Sequence, residues 1–353
     1  MNEYKSTAKE TTIQILRPIT EASMLNAVIP GSGDLYLLGK TVNYLQNRYT
    51  HDGIRIKEQN GSDNINEEQI YEHPVFGTDL NAEEKRILFK DALALSQDIY
   101  VVNNHSKNFY HTETYNRNNS KGWYIIDDKL RGGEHPKEIL DFRDLVIKIP
   151  LNNKENGLGS AVFYTKQNHR LIIAYVTEGT NLGTQDLGAD IEQGIKETPQ
   201  YRQSMDNAKK IADLFKDKLG GIHKLYFFGH SLGGGLANAN ALCTGCPAIT
   251  FNAAALNSDF AKKYPEEYKQ NLMAGSYVKG EFLSKWYTKA LGMRKDGDRY
   301  RTNLSWKDYT TKDLPWAWYL APELRSHLLE PLCKHYGLKS EKCEFWNKSN
   351  NKI

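Results

Sequence analysis

The 353-residue chain has no apolar run long enough to cross a membrane as a helix. Its longest uninterrupted apolar stretch, residues 171–176, is far shorter than the roughly 20 residues that such a span needs. Only four cysteines are present, which excludes the disulfide framework typical of small secreted domains. A strong charge excess is also missing, because 46 Lys and Arg face 43 Asp and Glu. The resulting net charge of +3 gives no argument for nucleic-acid binding.

The first residues, MNEYKSTAKETTIQ, contain no basic region followed by an apolar segment. We therefore expect no secretory signal peptide and synthesis in the cytoplasm. Aromatic residues, in contrast, are plentiful. The 21 Tyr, 12 Phe and 6 Trp supply enough apolar surface for a buried core, which argues against a disordered chain. The length predicts one large domain or two ordinary ones, and a mean hydropathy of −0.64 predicts a very polar surface.

The first third of the chain shows little regular pattern. Apolar residues at helical spacing predict a helix over residues 33–49, and the polar residues 51–70 predict a loop. Residues 103–133 are rich in asparagine and predict irregular structure. Between them, a helix is predicted over residues 82–102, whose apolar residues fall on one helical face: Ile87, Leu88, Ala92, Leu95 and Ile99.

From about residue 157 onward, apolar segments alternate with amphipathic ones. Strands are predicted at residues 160–164, 170–176, 224–228, 247–252 and 275–279. Helices are predicted at residues 203–219 and 232–242. This alternation, together with the nearly all-apolar strand 224–228, predicts an α/β fold. Its central sheet should be mostly parallel, with helices on both faces.

One short string stands out as a candidate for chemistry. Residues 229–233, GHSLG, match the G-x-S-x-G pattern, which is weak evidence when taken alone. Here an apolar strand ends at Gly229 and a small-residue helix begins after Ser231, which is the strand–turn–helix setting of a nucleophile elbow. Such a turn strains the serine backbone, needs flanking glycines and aims helix N–H groups at the reacting oxygen. The structural alternative is that Ser231 only caps a glycine-rich helix.

Three strings together resemble the class 3 lipase family of α/β-hydrolases: VTEGTNLGTQDLGADI (176–191), FFGHSLGGGLA (227–237) and CPAITFNAAAL (246–256). The resemblance covers about residues 80–335. It is strongest to bacterial lipase and phospholipase effectors of type VI secretion. It implies a hydrolase domain over residues 80–353, with residues 1–79 as an N-terminal extension of unknown role. It also implies that Ser231 is the nucleophile.

A serine nucleophile needs a base and a carboxylate, which follow it in the chain order Ser, acid, His in α/β-hydrolases. Only His327 and His335 lie well downstream of Ser231. The resemblance favours His327, which precedes a predicted C-terminal helix, whereas His335 is predicted to be a surface residue.

For the acid, the resemblance favours Glu281, which stands at the carboxyl end of the predicted strand 275–279. The family usually has Asp at this position, and Glu can perform the same role. Asp259, close to the preceding strand, is an alternative. Three other aspartates are predicted to lie in polar loops: Asp296, Asp298 and Asp308.

The oxyanion hole needs two preset donors. One is predicted to be the backbone N–H of Leu232, and the resemblance places the second at Thr180. Glu178 replaces the arginine that the family usually has in this loop. Asp186 and Asp190 resemble the acidic residues that follow the loop in the family, and supporting a helix start is their alternative role.

Two further features carry weaker signals. Cys243 and Cys246 form a C-x-x-C pair with neither a second ligand pair nor a thioredoxin-like setting, so idle thiols and no metal site are predicted. Residues 285–324 hold four of the six tryptophans, interleaved with Lys and Arg. This composition suits contact with an anionic membrane surface, and a wall of the acyl pocket is the equal alternative.

Together these features predict a serine ester hydrolase that acts on lipids. A phospholipase A-type activity is preferred, with triacylglycerol or small esters as alternative substrates, and no cofactor is needed. A non-catalytic binding protein on a hydrolase fold is the rival hypothesis. The resemblance leaves two settings open: an antibacterial effector with an immunity or carrier partner, and an ordinary cytosolic enzyme.

Overall fold

The computed structural model describes residues 67–104, 122–130, 134–179, 198–254, 256, 258–278, 298–302 and 329–338. Two 3-10 helices, Glu67–Glu72 and Pro74–Phe76, come first. The α-helices of the described residues are α1 (Ala82–Asn104), α2 (Lys137–Val146), α3 (Pro199–Lys218), α4 (Leu232–Thr244), α5 (Ser258–Ala261), α6 (Glu266–Leu272) and α7 (Leu329–His335). The strands are β1 (Trp123–Ile125), β2 (Ser160–Gln167), β3 (Arg170–Thr177), β4 (Lys224–His230), β5 (Ala248–Phe251), β6 (Met273–Val278) and β7 (Asp298–Thr302).

The described strands form one seven-stranded sheet whose spatial order follows the chain, from β1 to β7. The first three strands pair antiparallel, and β3 to β7 all pair parallel. The carboxyl ends of β3 to β7 therefore lie along one edge of the sheet, where α/β proteins bind their ligands. The start of β2 lies at the same edge, because Ser160 pairs with Thr177 at the end of β3.

Helices cover both faces of the sheet, as the sequence predicts. In β4, Leu225 and Phe227 are buried in one cluster, together with residues of α2, α3 and α4. Tyr226 and Phe228 point the other way and are buried in a second cluster, together with residues of α1 and α7. Burial on both sides explains why this strand is nearly all apolar. The prediction of an α/β fold with a mostly parallel sheet and helices on both faces is confirmed.

Helix α1 matches its prediction except on one flank. Leu88, Ala92, Leu95 and Ile99 are fully buried against the sheet, whereas Ile87, predicted to share their face, is 41% exposed. Residues 87 and 88 differ by about 100° around a helix, and the sheet covers only the stripe that begins at Leu88. None of the described helices is both long and apolar enough to span a membrane.

The core also includes residues that precede α1. Ile70, Val75 and Phe76 are buried in the same cluster as Leu88 and Phe251. The division of the chain into residues 1–79 and 80–353 stays a prediction. The helix predicted over residues 33–49 lies outside the described residues.

Several elements differ from the predictions for their segments. The 3-10 helix Glu67–Glu72 overlaps residues 51–70, for which a loop is predicted, and α5 and α6 have no predicted counterpart. Strand β1 lies within residues 103–133, for which irregular structure is predicted, and α2 has no predicted counterpart. Asp298 begins β7, so its predicted place in a polar loop is wrong. Strands β1 and β7 lie at the two edges of the described sheet. An edge strand pairs on one side only and needs no continuous apolar run.

Candidate active site

The backbone at Ser231 is strained. Strand β4 ends at His230 and α4 begins at Leu232, with Ser231 between them at φ 57° and ψ −128°. A positive φ is uncommon outside glycine and persists only where the surroundings impose it. Here the Ser231 N–H donates to the Phe251 carbonyl at 3.1 Å, and the Ser231 carbonyl accepts from Ala254 at 2.9 Å. The predicted strand–turn–helix context is therefore confirmed.

The glycines around Ser231 are required by close backbone contacts. A Cβ on Gly229 would overlap the carbonyl of Gly233, and a Cβ on Gly233 would overlap the carbonyl oxygen of Thr177. A Cβ on Gly234 would lie 2.6 Å from the Ala253 Cβ. The backbone of the first turn of α4 thus lies so close to β4 and to the end of β3 that positions 229 and 233 have no room for a side chain.

The alternative role for Ser231, as the cap of its helix, does not hold. Ser231 occupies the N-cap position of α4, yet its side chain makes no capping hydrogen bond. Its hydroxyl is therefore not committed to the first N–H groups of the helix. Leu232 follows as the first residue of α4, where a backbone N–H has no acceptor within its own helix and the helix dipole favours negative charge.

The end of β3 lies directly against this turn. The Thr177 hydroxyl donates to the Gly233 carbonyl at 2.6 Å, and the Glu178 N–H donates to Gly159 at 2.9 Å. A Cβ on Gly179 would lie 2.6 Å from the His230 carbonyl oxygen and 3.2 Å from the Ser231 Cβ. The loop after β3 is therefore fixed beside Ser231 up to Gly179. Thr180, the next residue, lies outside the described residues.

Asn252 fixes the ends of the next two strands. It follows β5 at φ 42° and is fully buried. Its N–H donates to the Ser276 carbonyl at 2.9 Å, and its side-chain oxygen accepts from the Val278 N–H at 3.0 Å. Strand β6 ends at Val278, three residues before the predicted acid Glu281. No local pattern of residue types predicts this role for Asn252, although the residue lies within one of the three strings that carry the family resemblance.

Helix α7 begins two residues after the predicted base, which confirms the predicted C-terminal helix. His327 itself lies outside the described residues. The alternative, His335, is the last residue of α7 and is partly buried, with its ring 4.9 Å from the ring of Tyr336. His335 is therefore still partly exposed to solvent, which does not contradict its prediction as a surface residue.

Several predicted positions lie outside the described residues: Thr180, Asp186, Asp190, Glu281, Asp296, Asp308, His327 and the four tryptophans of residues 285–324. Of the alternative acids, Asp259 lies in α5 and Asp298 begins β7. The structure thus places Ser231 and Leu232 and leaves the other predicted site residues as predictions.

The thiols of the C-x-x-C pair are free and partly buried. Burial raises the pKa of Cys243 to about 11 and also raises the pKa of Cys246, so both thiols are neutral at neutral pH. Within the described ranges, no three His, Cys, Asp or Glu side chains are grouped to hold a metal ion.

Comparison with known proteins adds a family to this geometry. Residues 92–299, more than half of the chain, match the family model of the Tle-like phospholipase domain. A 108-residue segment is 33% identical to the extracellular phospholipase A1 of Serratia liquefaciens, and this match spans 30% of each chain. The crystal structure of M37 lipase superposes with a TM-score of 0.38 and 12% identity, covering 71% of this chain and 96% of that one.

Proposed function

Because the chain belongs to the Tle-like phospholipase domain family, we propose that it is a serine hydrolase that cleaves acyl esters of phospholipids. The family match confirms the lipase-type resemblance of the three sequence strings. The observation that carries the proposal is Ser231, held at a positive φ between β4 and α4 with no capping bond from its side chain. Strain of this kind is expected where a nucleophile must stand clear of the backbone.

The first step of the proposed reaction is attack by the Ser231 oxygen on the ester carbonyl carbon. The negative charge that forms on the carbonyl oxygen is stabilised by the Leu232 N–H and by a second donor at Thr180. Support for the pair comes from Gly179, which touches the Ser231 turn and directly precedes Thr180.

His327 takes the proton of the Ser231 hydroxyl and gives it to the leaving alcohol, which leaves an acyl-enzyme. A water molecule then attacks the acyl-enzyme, and the free fatty acid and the Ser231 hydroxyl are released. Glu281 orients His327 and stabilises its charged form. This assignment is supported by the chain order Ser, acid, His and by the position of Val278, at the end of β6 and three residues before Glu281.

The proposed activity is of the phospholipase A type. Support comes from the family and from the printed name of the Serratia relative, with triacylglycerols and small esters as the competing substrates. A fluorophosphonate probe and a series of p-nitrophenyl esters test the chemistry. Phospholipids whose product positions are assigned then test the substrate class.

We expect the probe to label the wild type and to lose its label in Ser231→Ala. Ser204→Ala is the matched control, because it removes a buried hydroxyl that bonds to Asn240 on α4 and should keep full labelling. An unlabelled wild type would instead support the rival hypothesis of a binding protein on a hydrolase fold. Faster cleavage of triacylglycerol than of phospholipid would contradict the substrate class.

The proposed contact with the membrane surface involves residues 285–324, where four tryptophans alternate with Lys and Arg. Liposome binding should rise with the content of anionic lipid and fall in Trp316→Ala. Binding that responds to neither change would overturn this part of the proposal.

The biological setting proposed is an antibacterial toxin delivered by type VI secretion, with an immunity or carrier protein as partner. It rests on the resemblance of the three strings to bacterial lipase effectors. Expression directed to the periplasm should inhibit growth, and Ser231→Ala should abolish the inhibition. Growth unaffected by the active protein would favour an ordinary intracellular enzyme.

A further inference from the structure

A tyrosine on α1 is hydrogen bonded to the residue that precedes Ser231. The Tyr100 hydroxyl lies 2.9 Å from Nδ1 of His230, and the two rings meet edge to face with 6.0 Å between centroids. Tyr100 stands near the end of α1, and His230 is the last residue of β4 and is buried. The contact therefore joins the outer helix layer to the end of the strand that carries the turn.

The same hydroxyl also meets the loop after β3. A Cβ placed on Gly179 would overlap the Tyr100 hydroxyl and would crowd the His230 carbonyl oxygen and the Ser231 Cβ. The Tyr100 hydroxyl thus stands beside the space that a side chain at position 179 would fill. Tyr100 is therefore positioned against both the Ser231 turn and the loop that leads to Thr180.

We propose that Tyr100 is a positioning residue that fixes the spacing between the two donors of the oxyanion hole. The inference rests on the proposed function, in which Leu232 and Thr180 supply those donors. The two donors lie on separate segments, after β4 and after β3, and such donors act only when they are preset for the developing charge. A hydroxyl that contacts both segments limits their relative movement.

The direct test is Tyr100→Phe, which keeps the ring and its edge contact with His230 and removes only the hydroxyl. We expect kcat on a p-nitrophenyl ester to fall roughly tenfold while KM changes less than about twofold, because the lost contact acts in the transition state. Fluorophosphonate labelling of Ser231 should slow by a similar factor. A purely structural role would lower the melting temperature without this split between kcat and KM.

Tyr164→Phe is the matched control. It also removes a hydroxyl that is hydrogen bonded to a histidine Nδ1, that of His135. Tyr164 pairs with Ile173 and, through β3, aligns with Leu225, six residues before Ser231 and thus about 20 Å along the strand. This variant should lower the melting temperature and leave kcat within about twofold of the wild type.

A second pair of variants tests whether Tyr100 acts through His230. His230→Asn keeps an amide close to the Nδ1 position and should retain more activity than His230→Ala. Adding Tyr100→Phe to His230→Ala should cause little further loss, because the bond is already absent. The comparison of His230→Asn with His230→Ala carries the test if Tyr100→Phe fails to fold.

Three results would count against the inference. A labelled wild type with unchanged kcat in Tyr100→Phe would overturn it and leave the proposed function intact. A raised KM with unchanged kcat would overturn it as well, because Tyr100 would then bind substrate in the ground state. A wild type that reacts with neither probe nor esters would instead overturn the proposed function, and this inference with it.

Discussion

The hydroxyl of Ser276 on β6 is hydrogen bonded to the hydroxyl of Tyr336, with 3.2 Å between the two oxygens. Tyr336 directly follows α7 and also packs edge to face on Phe89 of α1, with 4.9 Å between ring centroids. The bond therefore connects the strand that precedes Glu281 with the helix that follows His327. This hydrogen bond joins the segment that leads to the proposed acid with the segment that follows the proposed base.

Tyr336→Phe should weaken this link without removing the ring packing. We expect the free energy of unfolding to fall by about 1 kcal/mol, the typical net value of one such hydrogen bond. The kcat for ester cleavage should fall roughly threefold, because the segments that flank the proposed base and acid lose a fixed point. Urea unfolding and steady-state kinetics measure the two effects.

The double variant with Ser276→Ala supplies the control. Since the two hydroxyls act as a pair, the losses in stability should be less than additive by about 1 kcal/mol. Additive losses would show that the two side chains contribute independently and that the bond does not connect the segments.

Gly233→Ala should disrupt the turn, because the new Cβ would overlap the Thr177 carbonyl oxygen and lie 2.7 Å from the Glu178 carbonyl carbon. Both contacts are with backbone, which cannot rotate away. We expect a loss of about 3 kcal/mol in the free energy of unfolding, at the upper end for overpacking. Urea unfolding checks this value, and fluorophosphonate labelling should be lost with it.

Gly221→Ala is the control for Gly233→Ala. Gly221 has a positive φ of 60°, and its Cβ would meet nothing within 4 Å. The loss there should be limited to the backbone cost of about 1 kcal/mol. Equal losses at the two positions would contradict the steric explanation.

Asp91→Asn should stabilise the fold at neutral pH. Burial raises the pKa of Asp91 to about 6. The Trp123 indole N–H donates to the Asp91 carboxyl at 2.8 Å, and this hydrogen bond lowers the pKa by less than burial raises it. Because the folded state disfavours the charged carboxylate, Asp91 costs no stability below about pH 4, where it is protonated. The folded protein then loses stability as the pH rises through about 6 and the buried carboxyl ionises. The variant should therefore gain at most about 3 kcal/mol at pH 7.5 and almost nothing at pH 4, as measured by urea unfolding.

Asp79→Asn is expected to act in the opposite direction. Burial alone would raise the pKa of Asp79, but the hydrogen bond and charge of Lys224, with the charge of Arg170, leave it lowered. Its contribution to stability is therefore present at neutral pH and lost as the pH falls through the lowered value. A gain in stability for both variants at pH 7.5 would contradict the assignment of the two environments.

The central part of the fold follows from the sequence because its strands are buried on both faces. A strand such as β4 must then be a short apolar run, and the glycines after it mark the turn. The edge strands β1 and β7 carry no such pattern, since a strand at an edge is held by pairing on one side only. Sequence pattern alone therefore finds the middle of the sheet and misses its edges.

The candidate site also has a part that the sequence predicts and a part that it does not. Ser231 and Leu232 are predictable because their geometry is encoded within five consecutive residues, GHSLG. The bond between Tyr100 and His230 joins positions 130 residues apart. Asn252 takes its conformation from hydrogen bonds with β6, the neighbouring strand. Such contacts depend on the assembled sheet, and no local pattern of residue types announces them.

Ser231→Gly separates the strain of the turn from its chemistry. Both Ser231→Gly and Ser231→Ala remove the proposed nucleophile, so neither variant should be labelled by a fluorophosphonate. Glycine adopts the positive φ of 57° found at Ser231 without steric cost, whereas alanine keeps its Cβ and therefore the strain. The glycine variant should be more stable than the alanine variant by about 1 kcal/mol, because relief of strain outweighs the extra freedom of glycine in the unfolded chain. Urea unfolding of the two variants side by side measures the difference. Equal stabilities would mean that relief of strain only balances the extra freedom of glycine in the unfolded chain, and an alanine variant more stable than the glycine variant would mean that chain entropy dominates at this position.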